Sequence, residues 1–242
     1  MESAKKETGV VFIDKNSLYF YSPTNTLGFA FSADAVKDFD LLSREKLSEE
    51  IKTFIEQNKI SPVDLILIVS ENASFIKDLV TESDHSGALE STQKENQKEN
   101  VEQEIQNFTD NVPLENICVK IFKFDKATRV TVVNRDLLEA IKDTLEKYNF
   151  RILFAIPAFS LIRLNIQPNI GFTNDTAKTV IQKSDSVKQD DLFGEENKEE
   201  IKTKNILDKK QPIPRRTVFL IAALIFLFSI FLILFVRTML VA

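Results

Sequence analysis

Asp64-Leu65-Ile66-Leu67-Ile68-Val69 is an acid followed by five consecutive large aliphatic residues, with Pro62 just before it and Ser70 just after. A strand with one wet face alternates apolar and polar residues. An unbroken run of this length reads instead as a strand covered on both faces, as in a parallel sheet flanked by helices. The upstream sequence supplies its neighbours. Val10 to Ile13 is a β-rich run ending in Asp14. Ser17 to Tyr21 alternates Leu18 and Phe20 against Tyr19 and Tyr21, and Asn25 and Gly28 mark turns before a third strand at Phe29 to Phe31. Over Arg44 to Asn58, Leu47, Ile51, Phe54 and Ile55 recur at helical spacing, with Ser43 placed to cap the helix. The first unit is therefore ββ(β)αβ.

Downstream, Thr81 to Asn100 breaks the pattern and contains the tandem QKENQKEN from Gln93 to Asn100, which is read as a flexible loop over 81–100. Val101, Ile105, Phe108 and Val112 then have helical spacing, and Pro113 ends the helix. Ile117 to Phe124 and Arg129 to Asn134 are β-rich runs joined by a turn at Asp125-Lys126-Ala127. Asp136 is expected to cap the next helix, with Glu139 completing a capping box and Leu137, Leu138, Ile141 and Leu145 forming its apolar face to Tyr148. Phe150 to Ile156 returns as a strand, stopped by Pro157. The second unit is αββαβ, with Cys118 as a core residue.

Composition excludes many chemistries. Of 242 residues, one is Cys and one is His, so disulfide frameworks and cysteine metal clusters are ruled out. The lone His85 falls in the polar break and is read as solvated. The five glycines are too dispersed for a Walker loop or a dinucleotide fingerprint. A net charge of −5 carries no nucleic-acid signature. The expectation is no catalytic residue, no cofactor, no metal and no small-molecule substrate.

The C-terminal end has a different character. Thr217 to Val236 reads TVFLIAALIFLFSIFLILFV, and from Thr217 onward the only charge is Arg237. As a helix this run spans about 30 Å, the thickness of a bilayer core. Lys209, Lys210, Arg215 and Arg216 precede it and Arg237 alone follows, which places the preceding chain on the cytoplasmic side of the membrane. The basic flank also suits anionic lipid headgroups. The expected organisation is a body over 1–172 (10–80 and 101–172, with the loop 81–100), a flexible tether over 173–216, a single transmembrane helix over 217–236 and a short tail over 237–242. Within the tether, Leu192-Phe193 is an apolar insert among acids; it is read as solvated linker, with a docking motif as the alternative.

The stretch from Ser70 to Leu164 resembles the first lobe of the actin-like cytoplasmic proteins of type IV pilus and type II secretion systems, the PilM and GspL group. The residues that carry the resemblance are the helix and turn from Glu102 to Glu115, with Val112-Pro113-Leu114-Glu115 at the turn, and the hairpin from Ile117 to Asn134. Then come the helix from Asn134 to Tyr148, Asn149-Phe150 where the group has Gly and an apolar residue, and the strand Ile152 to Ile156 leading into Pro157-Ala158-Phe159-Ser160-Leu161. Residues 10–69 fit the group's opening βββαβ. The resemblance implies an α/β fold: an actin-like (ribonuclease H-like) half-domain with an αββαβ subdomain, then the disordered tether and the C-terminal transmembrane helix.

Two departures bear on function. Actin-like ATPases carry Asp-x-Gly after the first strand, whereas Asp14 is followed by Lys15 and Asn16, which weakens phosphate approach. Asp14 is read as a strand-end turn former. The second lobe is also missing, because the chain passes from Leu164 into the tether. A short Asn205-Ile206-Leu207 before Pro214 resembles the docking peptide of PilN-like proteins, and chance accounts for so short a match. The expected function is a membrane-tethered, non-catalytic scaffold that recruits a bitopic membrane partner or a motor. A peptide groove between the two units is assigned to Ile105, Phe108, Val112, Pro113 and Leu114. The alternatives are a split actin-like ATPase completed by another chain, and a tail-anchored adaptor unrelated to pili.

Overall fold

The first strand, β1 (Thr8–Asp14), is apolar along almost its whole length and pairs on both sides. The computed structural model describes residues 7–22, 26–80, 91–124, 127–167 and 172–194. On one side β1 turns tightly into antiparallel β2 (Ser17–Tyr21), which pairs with antiparallel β3 (Thr26–Ala30). A two-strand ribbon of β4 (Val36–Lys37) and β5 (Asp40–Leu41) leads to α1 (Arg44–Gln57), where the Ser43 hydroxyl accepts from the Lys46 amide as the sequence predicts. The aliphatic run then forms β6 (Asp64–Val69), parallel to β1 and buried at all six positions.

The next segment was not legible as a strand. Phe75 to Val80 forms β7, which pairs with β9 (Ala127–Asn134); β8 (Ile117–Lys123) lies on the other edge of β9. These three strands make a separate sheet of order β7-β9-β8, inserted between β6 and α3 (Arg135–Lys147). One face of the inserted sheet is covered by α2 (Ser91–Asp110). The helix therefore begins well before Val101, and the loop expected over 81–100 is corrected for Ser91 to Asn100. Gln, Lys and Glu are good helix formers, so a polar tandem of them extends a helix that packs through its later turns. Residues 81–90 and the turn at 125–126 lie outside the described residues.

A second correction concerns the strand after α3. β10 (Arg151–Pro157) does not close the second unit; it pairs parallel with β6 and becomes the edge of the main sheet, of order β10-β6-β1-β2-β3. Leaving out the small ribbon and the insertion, this is the 3-2-1-4-5 order of a ribonuclease H-like sheet. The αββαβ subdomain thus reduces to α2, β8 and β9 with β7 added, while α3 and β10 return to the body. Asn134, not Asp136, caps α3: its side-chain oxygen accepts from the Leu137 amide at 3.1 Å, and Asp136 instead takes the Asn116 amide.

The main sheet is packed on both faces. Val11, Ile13, Leu65, Leu67 and Ala155 join α1 and α3 on one side. Val10, Ile66, Ile68, Phe154 and Ile156 face a 3-10 segment (Ala158–Leu164) and α4 (Asn174–Gln182) on the other. This corrects the expected boundary after residue 172. Phe172 stacks on Phe12 at 4.7 Å, Thr173 caps α4, and Ala177, Val180 and Val187 are buried against the sheet. α4 packs on β1 and the 3-10 segment and so completes the cover of this face. The remainder of the expected tether, the expected transmembrane segment and the flanking Lys209, Lys210, Arg215, Arg216 and Arg237 lie outside the described residues. Among the described residues no helix is long and apolar enough to cross a membrane.

Candidate functional site

In sheets of this kind ligands gather at the carboxyl ends of parallel strands. At the end of β1 the Asp14 carboxylate accepts from the Ser70 hydroxyl at 2.6 Å, joining the ends of β1 and β6. The Lys15 ammonium is paired with Asp38 at 2.7 Å, and Asn16 uses its carbonyl to hold the Phe31 amide. The turn is thus closed by internal bonds, and it contains no glycine to admit a phosphate. Asp38 and Phe39 form the two-residue turn of the β4-β5 ribbon, both with left-handed φ (50° and 55°). Phe39 is held there from two sides: its ring meets Phe75 at 5.0 Å, and its carbonyl accepts from the Asn134 side chain at 3.2 Å. Among the described residues no group of three or more His, Cys, Asp or Glu side chains is arranged to hold a metal ion.

The more informative site is the cleft between two sheet edges. β10 is the outer strand of the main sheet and β8 the outer strand of the inserted one. Residues 184–193 pass through this cleft as a strap. Two short 3-10 turns, Ser184–Ser186 and Lys188–Asp190, carry Val187 into the core on one face of the main sheet. The chain then rounds the edge of β10, and Leu192 enters the core on the opposite face with no exposed surface.

Residues 189–193 each have a defined partner. The Gln189 carbonyl accepts from Lys120 Nζ on β8 at 2.9 Å. Asp190, 2% exposed, accepts from Arg163 Nε at 2.7 Å and from its second nitrogen at 3.3 Å. Asp191 Oδ1 accepts from the Ala155 amide at 2.9 Å and from the Phe193 amide at 3.1 Å. The Leu192 amide donates to the Ala155 carbonyl at 2.6 Å, and the Phe193 ring lies 5.7 Å from the Lys142 ammonium. The strap therefore joins the sheet edge at Ala155, with a carboxylate standing where a neighbouring strand would place a carbonyl. Cys118 of β8 is buried beside it. Burial pushes its thiol up to about 11, with Arg135 opposing the shift and Glu139 and Asp191 adding to it.

Below the cleft, the inserted sheet meets the 3-10 segment that follows β10. The Arg129 guanidinium lies 4.1 Å over the Phe159 ring while binding Asp78 and Glu71, and Phe122 and Phe124 pack edge-on against the same ring. The Arg129 hydrogen bond holds the Asp78 carboxyl below its ordinary range.

The residues assigned to a groove from the sequence lie on the other face of the inserted sheet. Ile105, Phe108 and Leu114 are half-buried against Leu79, Val119, Val130 and Val132. Val112 is buried in the same cluster, and Pro113 is exposed at the turn. The structure brings four of the five together around one small core, and the strap is separated from them by the thickness of the sheet. The strap's own anchors (Asp190, Asp191, Leu192, Arg163 and Lys120) were not singled out as a set; the one signal was the Leu192-Phe193 insert.

Solved structures similar to this chain include the PilM-PilN type IV pilus biogenesis complex, with 9% identity over 66% of this chain and 51% of that chain and a TM-score of 0.42. Another is the cytoplasmic domain of EpsL, an inner membrane component of the type II secretion system of Vibrio cholerae, with 16% identity over 64% and 58% and a TM-score of 0.36. A third is a Bacteroides thetaiotaomicron protein with an actin-like ATPase fold and unknown function, with 14% identity over 66% and 55% and a TM-score of 0.31. The chain spans a little over half the length of these structures. No family model and no curated protein matches it. The resemblance stated from the sequence is met again among the solved structures, and the sheet order carries the fold assignment independently.

Proposed function

We propose that this chain is a non-catalytic scaffold of a type IV pilus or type II secretion-like machine, tethered to the cytoplasmic membrane by its C-terminal end with the body in the cytoplasm. In this reading the body recruits a bitopic membrane partner or the assembly motor. The observation that supports it best is the space between β10 and β8, where residues 184–193 of this chain are held through backbone, carboxylate and apolar contacts. Such a cleft suits capture of a protein segment. The pilus and secretion context comes from the sequence resemblance. The turn after β1, closed by the Asp14–Ser70 bond, favours a scaffold over a nucleotide hydrolase.

Crosslinking and affinity capture of the full-length protein from native membranes tests the reading. Inner-membrane platform proteins of a pilus or secretion machine are the expected captures, and their absence overturns the assignment. Calorimetry of the full-length protein with ATP and magnesium tests the non-catalytic part: no heat is expected, and a micromolar dissociation constant would overturn it.

A further inference from the structure

We propose that the outer edge of β3, with the groove between it and α1, is a docking site for an extended segment of a partner protein. The segment alternates basic and apolar residues and adds to the main sheet as a further strand. This surface lies at the opposite end of the sheet from β10, and the proposal goes beyond the pilus and secretion reading without depending on it.

The edge is ready to pair. The Phe31 amide donates to the Asn16 carbonyl at 2.9 Å, in continuation of the β2–β3 register. That bond sets the phase of the ladder: Leu27 and Phe29 turn their backbone groups toward β2, and Thr26, Gly28 and Ala30 turn theirs outward. Among the described residues no hydrogen bond satisfies these outward groups. The other sheet edges carry features that discourage an added strand. β10 has a register shift and is covered by residues 184–193, β7 carries Lys77 and Asp78, and β8 carries Lys120 and Lys123. Thr26-Leu27-Gly28-Phe29-Ala30 has no charge, no proline and no shift of register. Gly28 keeps the edge low, because the Tyr19 ring lies across it: a Cβ there would fall 2.6 Å from Tyr19 Cδ1.

The groove defines which strand fits. It has a volume of about 600 Å³, with the Phe29 and Phe54 rings, 4.9 Å apart, on its apolar side and Asp34, Lys46, Glu49 and Glu50 around them. The Lys46 ammonium is held by Asp34 at 2.8 Å, and Glu50 accepts from the Ser32 amide at 3.3 Å just past the end of β3. Among the described residues no cation pairs with Glu49 or Glu50. In a strand added beside β3, alternate side chains fall on the α1 face next to Leu27 and Phe29. A lysine or arginine there lays its stem over the two rings and brings its charge to the glutamates. The intervening side chains fall beside Tyr19, whose ring is 37% exposed and suits an apolar neighbour. A second copy of β3 brings no charge, so the groove favours a basic partner over self-association.

The test uses the full-length chain in a neutral detergent and a fluorescent synthetic peptide that alternates lysine and valine, read by anisotropy. Binding in the micromolar range is expected. The same peptide with glutamate in place of lysine should bind about tenfold or more weaker. So should a lysine peptide N-methylated along its backbone, which keeps its charges and loses its donors. Glu49→Gln with Glu50→Gln should weaken the lysine peptide about tenfold. Ala30→Pro removes one outward amide and spares the bonds to β2, so it should abolish binding. No binding of the lysine peptide, equal binding of the methylated one, or undiminished binding by the glutamine variant would each overturn the inference. If Ala30→Pro unfolds the chain, the methylated peptide still decides. Dimerisation of the unmodified chain that Ala30→Pro removes would put a second copy at the edge and overturn the partner assignment. Tighter peptide binding after deletion of residues 201–207 would put the chain's own segment there, with the same consequence. Peptide binding without capture of platform proteins leaves this site standing and removes only the pilus and secretion assignment.

Discussion

The main sheet and the inserted sheet are hydrogen-bonded alike and buried very differently. In the main sheet β6 is covered at every position, by α1 and α3 on one face and by α4 and the 3-10 segment on the other. In the inserted sheet the outer face has only α2, and Phe75, Ile105, Phe108, Ile117 and Ile121 all remain half-buried. Backbone pairing nets little once water is counted, so the difference in stability lies in the side chains. The main sheet carries the global stability, and the insertion is the region expected to open first.

Ile68→Ala should give the largest loss, about 2–5 kcal/mol, because it leaves a cavity between two packed layers. A urea midpoint read by circular dichroism checks this, and a loss under 1 kcal/mol would erase the contrast between the sheets. The next effect is alkaline. The Cys118 thiol is raised in the folded state, so its contribution is fully present below the ordinary thiol range and is lost as pH rises from about 9 to about 11, for about 2–3 kcal/mol. Chemical denaturation across that window should show the fall in the unmodified chain and a flatter profile in Cys118→Ala.

Smaller effects separate the regions more finely. Phe108→Ala should cost about 1–2 kcal/mol, as expected for a half-buried ring. Amide exchange should quicken in β7, β8 and β9 while β6 stays protected; equal acceleration in both would show that the insertion does not open by itself. Asn134→Ala removes the cap of α3 at the junction of the two regions and should cost about 1 kcal/mol in thermal unfolding.

Much of the main sheet was legible because burial leaves a strong pattern. The DLILIV run announced a strand covered on both faces, and the spacings of Leu47, Ile51, Phe54 and of Leu138, Ile141, Leu145 placed α1 and α3. Partner choice was less legible. Phe150 to Ile156 reads as a strand in any sheet, and only the crossover through α3 sets it beside β6. β7 was missed because Phe75-Ile76-Lys77-Asp78-Leu79-Val80 mixes a half-buried face with charges. The candidate site was least legible. A single leucine among acids has the composition of a linker, and its burial depends on a sheet edge far away in sequence.

Phe39 has a mechanical consequence. It touches the first strand of the insertion through Phe75 and the last through Asn134, so both ends of the inserted chain are moored at one residue of a strained two-residue turn. A pull on the insertion therefore reaches this turn as well as the short connections to β6 and α3, and the turn, like the pin of a hatch, takes a share of a load that the five-stranded sheet would otherwise carry alone.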